Sequence, residues 1–498
     1  MHPSVATARS ATLDRSGPAD RQPFPAVSAA VGTALFGAAK TLGAVWSAAD
    51  SLGKATRKVR PAVSLVSDRL GFVGVPGDKE ASWRLLRQKQ FRRFFVGSLI
   101  SNFGTWLQNT AQLLLAYQLR HSVFLVGLVT CAQFISPLLL GPWAGVVASR
   151  FGSRRTLLVT QLASMVVTVV LAVLEFGGLL GERSLLAGAF ATGLMFTFAL
   201  PAQSVFIPRL VRSAGETKAA MAMNSVSYNA GRALAPALGV VIVTTIGFGW
   251  AFVFNAVTFG VFMLVLLALR PGSAVAETVR SRVRDGFRIA WNEPRILLLL
   301  LMVATITFAD DPILVLGPGV AHQAHVSDVW SGFFLSALGL GSVVGSLLPR
   351  RKVASGRRTA AALAFLGISI NVFVFVPYSW AGTAAAFAAG FGGLVAGSAA
   401  QAMLIGLAGP ERALRVMGLW TVAWAGSKPI ASIIDGTLPG LVGMRATAVI
   451  LSAPSLLPLV ILVFCPGLAG WLIRPKPARS SGEAIAVHTN SREFEAAA

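Results

Sequence analysis

The chain has 498 residues, 54% of them hydrophobic and 13% charged, against about 25% charged in an ordinary soluble domain. A soluble fold of this size cannot hide that much apolar surface, whereas a bilayer can, so the composition excludes a soluble globular protein. The formal net charge of +23 does not indicate a nucleic-acid binder, because the basic residues fall in short clusters between apolar runs.

Residues 1–90 are expected to form a cytoplasmic extension. Its start is rich in Ser, Pro and Arg and reads as disordered. Residues 26–46 are weakly apolar, with Val31, Leu35, Leu42 and Trp46 on one helical face and a basic stretch at 54–60. They read as an amphipathic helix on the inner leaflet rather than a thirteenth span or a cleaved signal peptide.

From residue 91 onward apolar runs follow one another closely. A span needs about 20 mostly apolar residues. That rule predicts helices at 94–117, 122–147, 155–178, 184–207, 219–246, 249–269, 296–320, 330–349, 359–378, 381–407, 414–438 and 445–471. The runs are too long and too uniformly apolar for barrel strands, which alternate. The expected fold is therefore all-α: a polytopic membrane protein of twelve transmembrane helices in two six-helix halves, 91–270 and 296–473. A cytoplasmic linker at 271–295 joins the halves, and a disordered cytoplasmic tail follows at 474–498.

The connections set the orientation. Every second one is basic: those on one side, with the flanks of the bundle, carry twenty-seven Lys and Arg, and those on the other carry Arg120, Arg183 and Arg445. The positive-inside rule then puts both termini in the cytoplasm and the chain in a plasma (inner) membrane. An internal repeat supports the halves. Gly141-Pro-Trp-Ala-Gly145 is followed by Arg150, and Gly341-Ser-Val-Val-Gly345 by Arg350, an offset of 200 residues. Repeated halves with a site between them are a common transporter plan. The pairs Gly141/Gly145, Gly341/Gly345 and Gly393/Gly397 read as packing or sliding surfaces rather than ligand contacts.

The loop after the second helix reads GVVASRFGSRR, from Gly145 to Arg155. It resembles the signature of the major facilitator superfamily, G-x-x-x-D-R-x-G-R-[RK]. Gly145, Arg150, Gly152, Arg154 and Arg155 fit, and Ser149 stands at the acidic position. The resemblance covers roughly 90–472. It is closest to the drug:proton antiporter branch that holds macrolide efflux proteins and the enterobactin exporter. Pro201 to Pro208 resembles that branch's fourth-helix end, with Gln203 where an Arg is common. Asn224 to Gly239 resembles its fifth helix and the exporter-type G-x-x-x-G-P-x-x-G; Gly231, Pro236 and Gly239 fit, while Ala235 replaces a Gly. Arg412 to Gly436 resembles its eleventh helix, with Arg415-Val-Met and Pro429. In the family the acid of the loop latches the two halves on the cytoplasmic side, so the resemblance implies a gate at this loop that Ser149 alters.

A charge in mid-bilayer costs roughly 2.5 kcal/mol or more, so charged residues inside spans are candidates for function. Arg232, Asp310, Asp311, Lys428 and Asp435 are such residues. Asp310 and Asp311 precede Pro312; they suit reversible protonation, or they satisfy backbone freed by the proline, or they pair with Lys428. Neighbours on a helix point about 100° apart, so at most one of the two is expected to face a central cavity squarely. Arg232 suits either an anionic substrate group or a structural acid. Lys428 and Asp435 are seven apart, on one face but about 10.5 Å apart along the axis, too far to touch.

Asn102, Gln108, Asn109 and Gln112 on the first helix, with Gln133, Gln203 and Gln401, are candidates for a polar substrate path. The alternative for each, as for Trp106 and Asn255, is interhelical bonding worth about 0.6 kcal/mol on average. The five His and two Cys show no metal-ligand spacing, no P-loop pattern is present and no nucleophile–base set appears, so no metal, cofactor or catalysis is expected.

These readings converge on a proton-coupled exporter of a hydrophobic or amphipathic small molecule. Its partners would be the bilayer, that substrate and protons, with no nucleic acid, and it would work as a monomer. The alternatives are an importer or uniporter on the same scaffold and a non-transporting membrane partner or sensor. Lys428 is expected to pair with Asp310 or Asp311. A charge swap that fully restores transport supports the pair; two additive losses sink it.

Overall fold

The computed structural model describes residues 84–272, 288–289, 291–327, 329–346, 356–376, 379–408, 416, 419–420 and 422–464. The expectations for residues 1–83, for most of the linker and for the tail, and the 412–415 part of the eleventh-helix resemblance, lie outside these residues.

The described chain is helical throughout. Lys89–Arg120 (α1), Val123–Phe151 (α2), Ser153–Phe176 (α3), Glu182–Phe206 (α4), Ala214–Ile246 (α5) and Phe248–Ala268 (α6) precede the linker. Pro294–Gln323 (α7), Val329–Ser346 (α8), Gly356–Phe375 (α9), Ser379–Ala408 (α10) and Lys428–Phe464 (α11) follow it. Gly443, at φ 83° and ψ 159°, breaks α11 into two limbs where the sequence predicts separate spans. Among the described residues nine stretches are long and apolar enough to cross a membrane. α1, with its amides, and α8, whose apolar part is Trp330–Gly345, fall short of that test. Only helices of this kind satisfy the backbone in lipid without closing a barrel.

Turns between helices are short and glycine-dependent. Gly152 (φ 87°) and Gly247 (φ 98°) each serve as the cap of one helix and the start of the next, a left-handed conformation that suits glycine. At the start of α5, Gln88 Nε2 donates to both carboxylate oxygens of Glu216 (2.9 and 3.0 Å), and the Arg212 N–H donates to Oε2 (3.1 Å). Burial alone would raise the Glu216 carboxyl, but these bonds hold it below the usual carboxylate value.

The packing repeats between halves. α1 packs on α5 and α6, α2 on α4, and α3 on α4 and α6. In the same way α7 packs on α11, α8 on α10, and α9 on α10 and α11. The two most extensive crossings between the halves are α5 with α8 and α2 with α11, and these too are counterparts. In a bilayer helices associate through close backbone approach rather than hydrophobic exclusion, so small residues mark the crossings. On α8, Gly332, Ser336 and Gly339 share one face and lie against Pro236, Val240, Arg232 and Ala233 of α5. The Ala237 N–H, in the helix turn that Pro236 loosens, donates to Ser336 Oγ at 2.7 Å. On the other crossing Gly127 of α2 lies against Ser432 and Gly436 of α11.

Both crossings lie toward the end of the bundle with few charges, here the neutral end; the opposite end carries the basic connections. The glycine pairs singled out from the sequence behave differently. Gly341 and Gly345 pack on α10 at Phe387 and Phe391. Gly393 and Gly397 stand near Ile306 of α7, whereas Gly141 and Gly145 have nothing within 4 Å.

A side chain at Gly127 would meet the Ser432 carbonyl and the Gly436 backbone, so Gly127→Val should force α2 and α11 apart at the neutral end. Overpacking of about 1–3 kcal/mol corresponds to a shift of roughly 5- to 150-fold toward a form open there. Thiol labelling of Cys131, buried one turn further along α2, checks this in a Cys465→Ser background. Faster labelling is expected, and an unchanged rate refutes the idea.

Candidate functional site

Pro312 shapes the centre of the bundle. It removes a backbone donor in the middle of α7, directly after two acids. The Asp oxygens are not spent on the freed backbone. Asp310 Oδ2 accepts from Arg232 Nη2 on α5 at 3.0 Å, and Asp311 Oδ1 accepts from Lys428 Nζ on α11 at 2.9 Å. The expected pairing of Lys428 with this acid pair is therefore present, with Asp311. The first ion pair crosses from one half to the other; the second stays within the C-terminal half.

The two pairs differ in burial. The Arg232 and Asp310 side chains are 20% and 17% exposed, while those of Lys428 and Asp311 are 11% and 0% exposed. Both acids border one cavity of about 40 Å³, of which α7 forms a wall. The roughly 100° between neighbours sends Asp310 toward α5 and Asp311 toward α11. Each pair leaves one carboxylate oxygen, Asp310 Oδ1 and Asp311 Oδ2, without a hydrogen bond.

Aromatic rings surround the cations. The Arg232 guanidinium lies 5.9 Å from the Trp106 ring, which in turn meets Tyr228 edge-on at 5.6 Å. Lys428 Nζ lies 5.2 Å from the Phe134 ring. Such contacts add about 2 kcal/mol when desolvated. Trp424 and Tyr228 also line the cavity, and neither stands out among the candidates read from sequence. A signal for them exists. Tyr228 stands four residues before Arg232 and Trp424 four before Lys428, so each counterpart helix carries an aromatic ring one turn ahead of its cation.

The polar-path candidates divide. Asn109 and Gln133 line the cavity and bond to each other, Gln133 Nε2 donating to Asn109 Oδ1 at 2.8 Å. Gln108 does not line it. Gln108 is buried and accepts from Thr168 of α3 (3.0 Å) and Asn255 of α6 (2.5 Å). Asn102 donates to Ser98 (3.3 Å) and to Ser227 of α5 (3.0 Å), and Gln203 of α4 donates to Ser98 (3.3 Å). These three knit helices together within the N-terminal half. Gln112 is buried outside the cavity lining, its Nε2 without a partner, and Gln401 lies half-buried on α10, also outside the lining.

The exporter-type motif sets the α1–α5 contact. A Cβ placed on Gly231 would stand 3.0 Å from the backbone of Asn102 and one on Gly239 3.2 Å from that of Leu107, so the two glycines let α5 approach α1 closely and bring Arg232 to the centre; Pro236 lines the cavity. The loop motif lies far from it. Arg154 donates to the carbonyls of Leu266 (3.2 Å) and Leu267 (2.7 Å), tying the α2–α3 turn to the end of α6. Arg150 and Arg155 are exposed, and Gly145 stands open. Asp435, on α11, does not line the cavity; it is 0% exposed and both its oxygens are without a hydrogen bond.

A cavity of this size holds about three waters, whereas a drug-sized ligand needs roughly 300 Å³ or more. The arrangement is that of a charged centre between the two halves.

Comparison with known proteins agrees. The family described as transmembrane secretion effector matches residues 80–470. The chain is 27% identical over 373 residues to the enterobactin exporter EntS of Shigella boydii, covering 72% of this chain and 87% of that one. It is 23% identical over 265 residues to the staphyloferrin A transporter of Staphylococcus aureus, covering 51% and 65%. Among solved structures it superposes on a bacterial homologue of the lysosomal transporter Spinster, inward-facing and unoccupied, with a TM-score of 0.57 at 15% identity, covering 81% and 100%. It also superposes on the nucleoside transporter NupG with a TM-score of 0.61 at 10% identity, covering 75% and 98%. The all-helical bundle, its central charges and the match over most of its length lead to one conclusion: the chain belongs to the transmembrane secretion effector family of the major facilitator superfamily and is a multi-pass membrane transporter, not an enzyme.

Proposed function

We propose that this transporter exports a hydrophobic or amphipathic small molecule, drug- or siderophore-like, against a proton gradient, by rocking its two six-helix halves about the central cavity. The observation that carries this reading is the Arg232–Asp310 ion pair between the halves. A proton on Asp310 cancels the charge that holds Arg232, so proton binding and the contact between halves become one event. Removing one partner of a buried pair costs about 3–5 kcal/mol, enough to shift a two-state equilibrium decisively.

Export is supported by the relatives, one an enterobactin exporter and one a staphyloferrin A transporter. The basic connections support a cytoplasmic basic end, with both termini inside and the bundle in the inner membrane. In that orientation the glycine crossings close the outside, and the centre faces the cytoplasm when it opens. That one chain supplies both ion pairs supports a monomer, the break at Gly443 supports the reading of twelve spans, and protons and the substrate would be its soluble partners.

The test uses proteoliposomes with an acid lumen and rhodamine 6G, ethidium and enterobactin as probes. Gradient-dependent movement of at least one probe is expected, and Asp310→Asn should lower it about tenfold or more, the loss of at least 1.4 kcal/mol of coupling. The Lys428→Asp/Asp311→Lys exchange should recover transport that each single change loses. Movement that ignores the gradient in the unaltered protein refutes proton coupling.

A further inference from the structure

The two ion pairs leave one buried acid unexplained. Asp435 is 0% exposed, and neither of its oxygens has a hydrogen-bond partner. Its ionised form would stand in a low-dielectric core without a hydrogen-bond donor, which a structural role does not explain.

Its position supplies a reason. Lys428, seven residues earlier on the same face of α11, lines the central cavity. Gly436 and Thr437, the next two residues, line a second cavity of about 500 Å³ at the neutral end. This second cavity is walled by Tyr117, His121 and Phe124 from the N-terminal half and by Gly319, Gln323 and Met444 from the C-terminal half. Along α11, Asp435 therefore stands between the two cavities.

The groups that face it are few. From α7 comes Asp311, and from α11 itself its partner Lys428. α2, which packs on this limb, presents no acid or base between Val123 and Thr130. Tyr117, with His121 stacked on His322 at 6.3 Å, stands at the rim of the outer cavity.

We propose that Asp435 is the proton-relay residue of the transport cycle, loaded from the neutral-end cavity and discharged toward Asp311. This rests on the proton-coupled reading above and adds the route to it. In the first step the Asp435 carboxylate takes a proton from a hydronium ion in the outer cavity, leaving water. In the second the proton passes through water to Asp311, and Asp435 is left as the anion. Lys428 then faces two acids that share one proton: with the proton on Asp435 it pairs with Asp311, the arrangement seen here, and with the proton on Asp311 its charge stabilises Asp435. The total charge of the three groups is the same before and after the transfer.

The test compares the unaltered protein with Asp435→Asn in proteoliposomes, with rhodamine 6G as probe and lumenal pH read by a trapped dye. Asp435→Asn should lose gradient-driven accumulation and coupled proton flux about tenfold or more. It should keep probe exchange at equal pH on both sides, which shows that it folds and binds. Asp435→Glu should retain coupling with a displaced pH profile. Independently, dicyclohexylcarbodiimide, which reacts with protonated carboxyls in apolar surroundings, should label Asp435, located by mass spectrometry, and label it more slowly as the pH rises. Full accumulation by Asp435→Asn, or loss of exchange together with coupling, overturns the relay alone. An unaltered protein indifferent to the gradient overturns the relay and the proton-coupled reading together.

Discussion

Charge in the middle of a bilayer must be compensated, and that requirement organises this molecule. Two adjacent acids on α7 cannot both be satisfied by one partner, because successive residues on a helix diverge by about 100°. They draw on two cations from different helices, Arg232 on α5 and Lys428 on α11. The cations are placed by backbone contacts: Gly231 and Gly239 bring α5 against α1, and Pro236 loosens the turn beyond Arg232. The centre is thus a product of helix packing, and helix packing is in turn held to its register by the centre. Replacing such pairs by apolar residues would cost little stability by itself, so their presence in a membrane core argues for use.

The same centre is closed by contacts of a different kind. At the α5–α8 and α2–α11 crossings glycine and serine lie against the partner's backbone, with the Val240 side chain beside Gly332. Close backbone contact of this kind suits a joint that can part. The α8–α10 contact at Gly341 and Gly345 is built the same way but lies within one half. A glycine stripe is therefore not by itself a moving joint; what decides is whether its partner belongs to the other half.

Much of this was legible in the sequence because the bilayer imposes simple rules. Span length predicts the helices well, with α2 and α4 each beginning or ending within a few residues of expectation. Intramembrane charge marks all five central ionisable residues, and the pairing of Lys428 with the acids follows from the need for compensation. Polar amides were harder. Asn109 and Gln133 line the cavity while Gln108, one residue away, binds α3 and α6, and a difference of 100° around α1 separates the two outcomes. That angle is set by the tertiary position of α1 and has no local signature. The aromatic lining was hidden for the opposite reason: in an apolar span Tyr228 and Trp424 look like ordinary lipid-facing or packing rings. The repeat at Gly141 and Gly341 was readable as a pattern, yet only its second copy packs, because Gly141 meets no partner helix in this conformation.

The pairing of two acids with two bases has an electrical consequence. With both bridges intact these four side chains carry no net charge, so a membrane voltage has no grip on them. Any ion added to that balance is felt at about 2.3 kcal/mol per elementary charge for each 100 mV. The cell's voltage thus passes over the four paired side chains and acts on whatever charge stands unbalanced beside them.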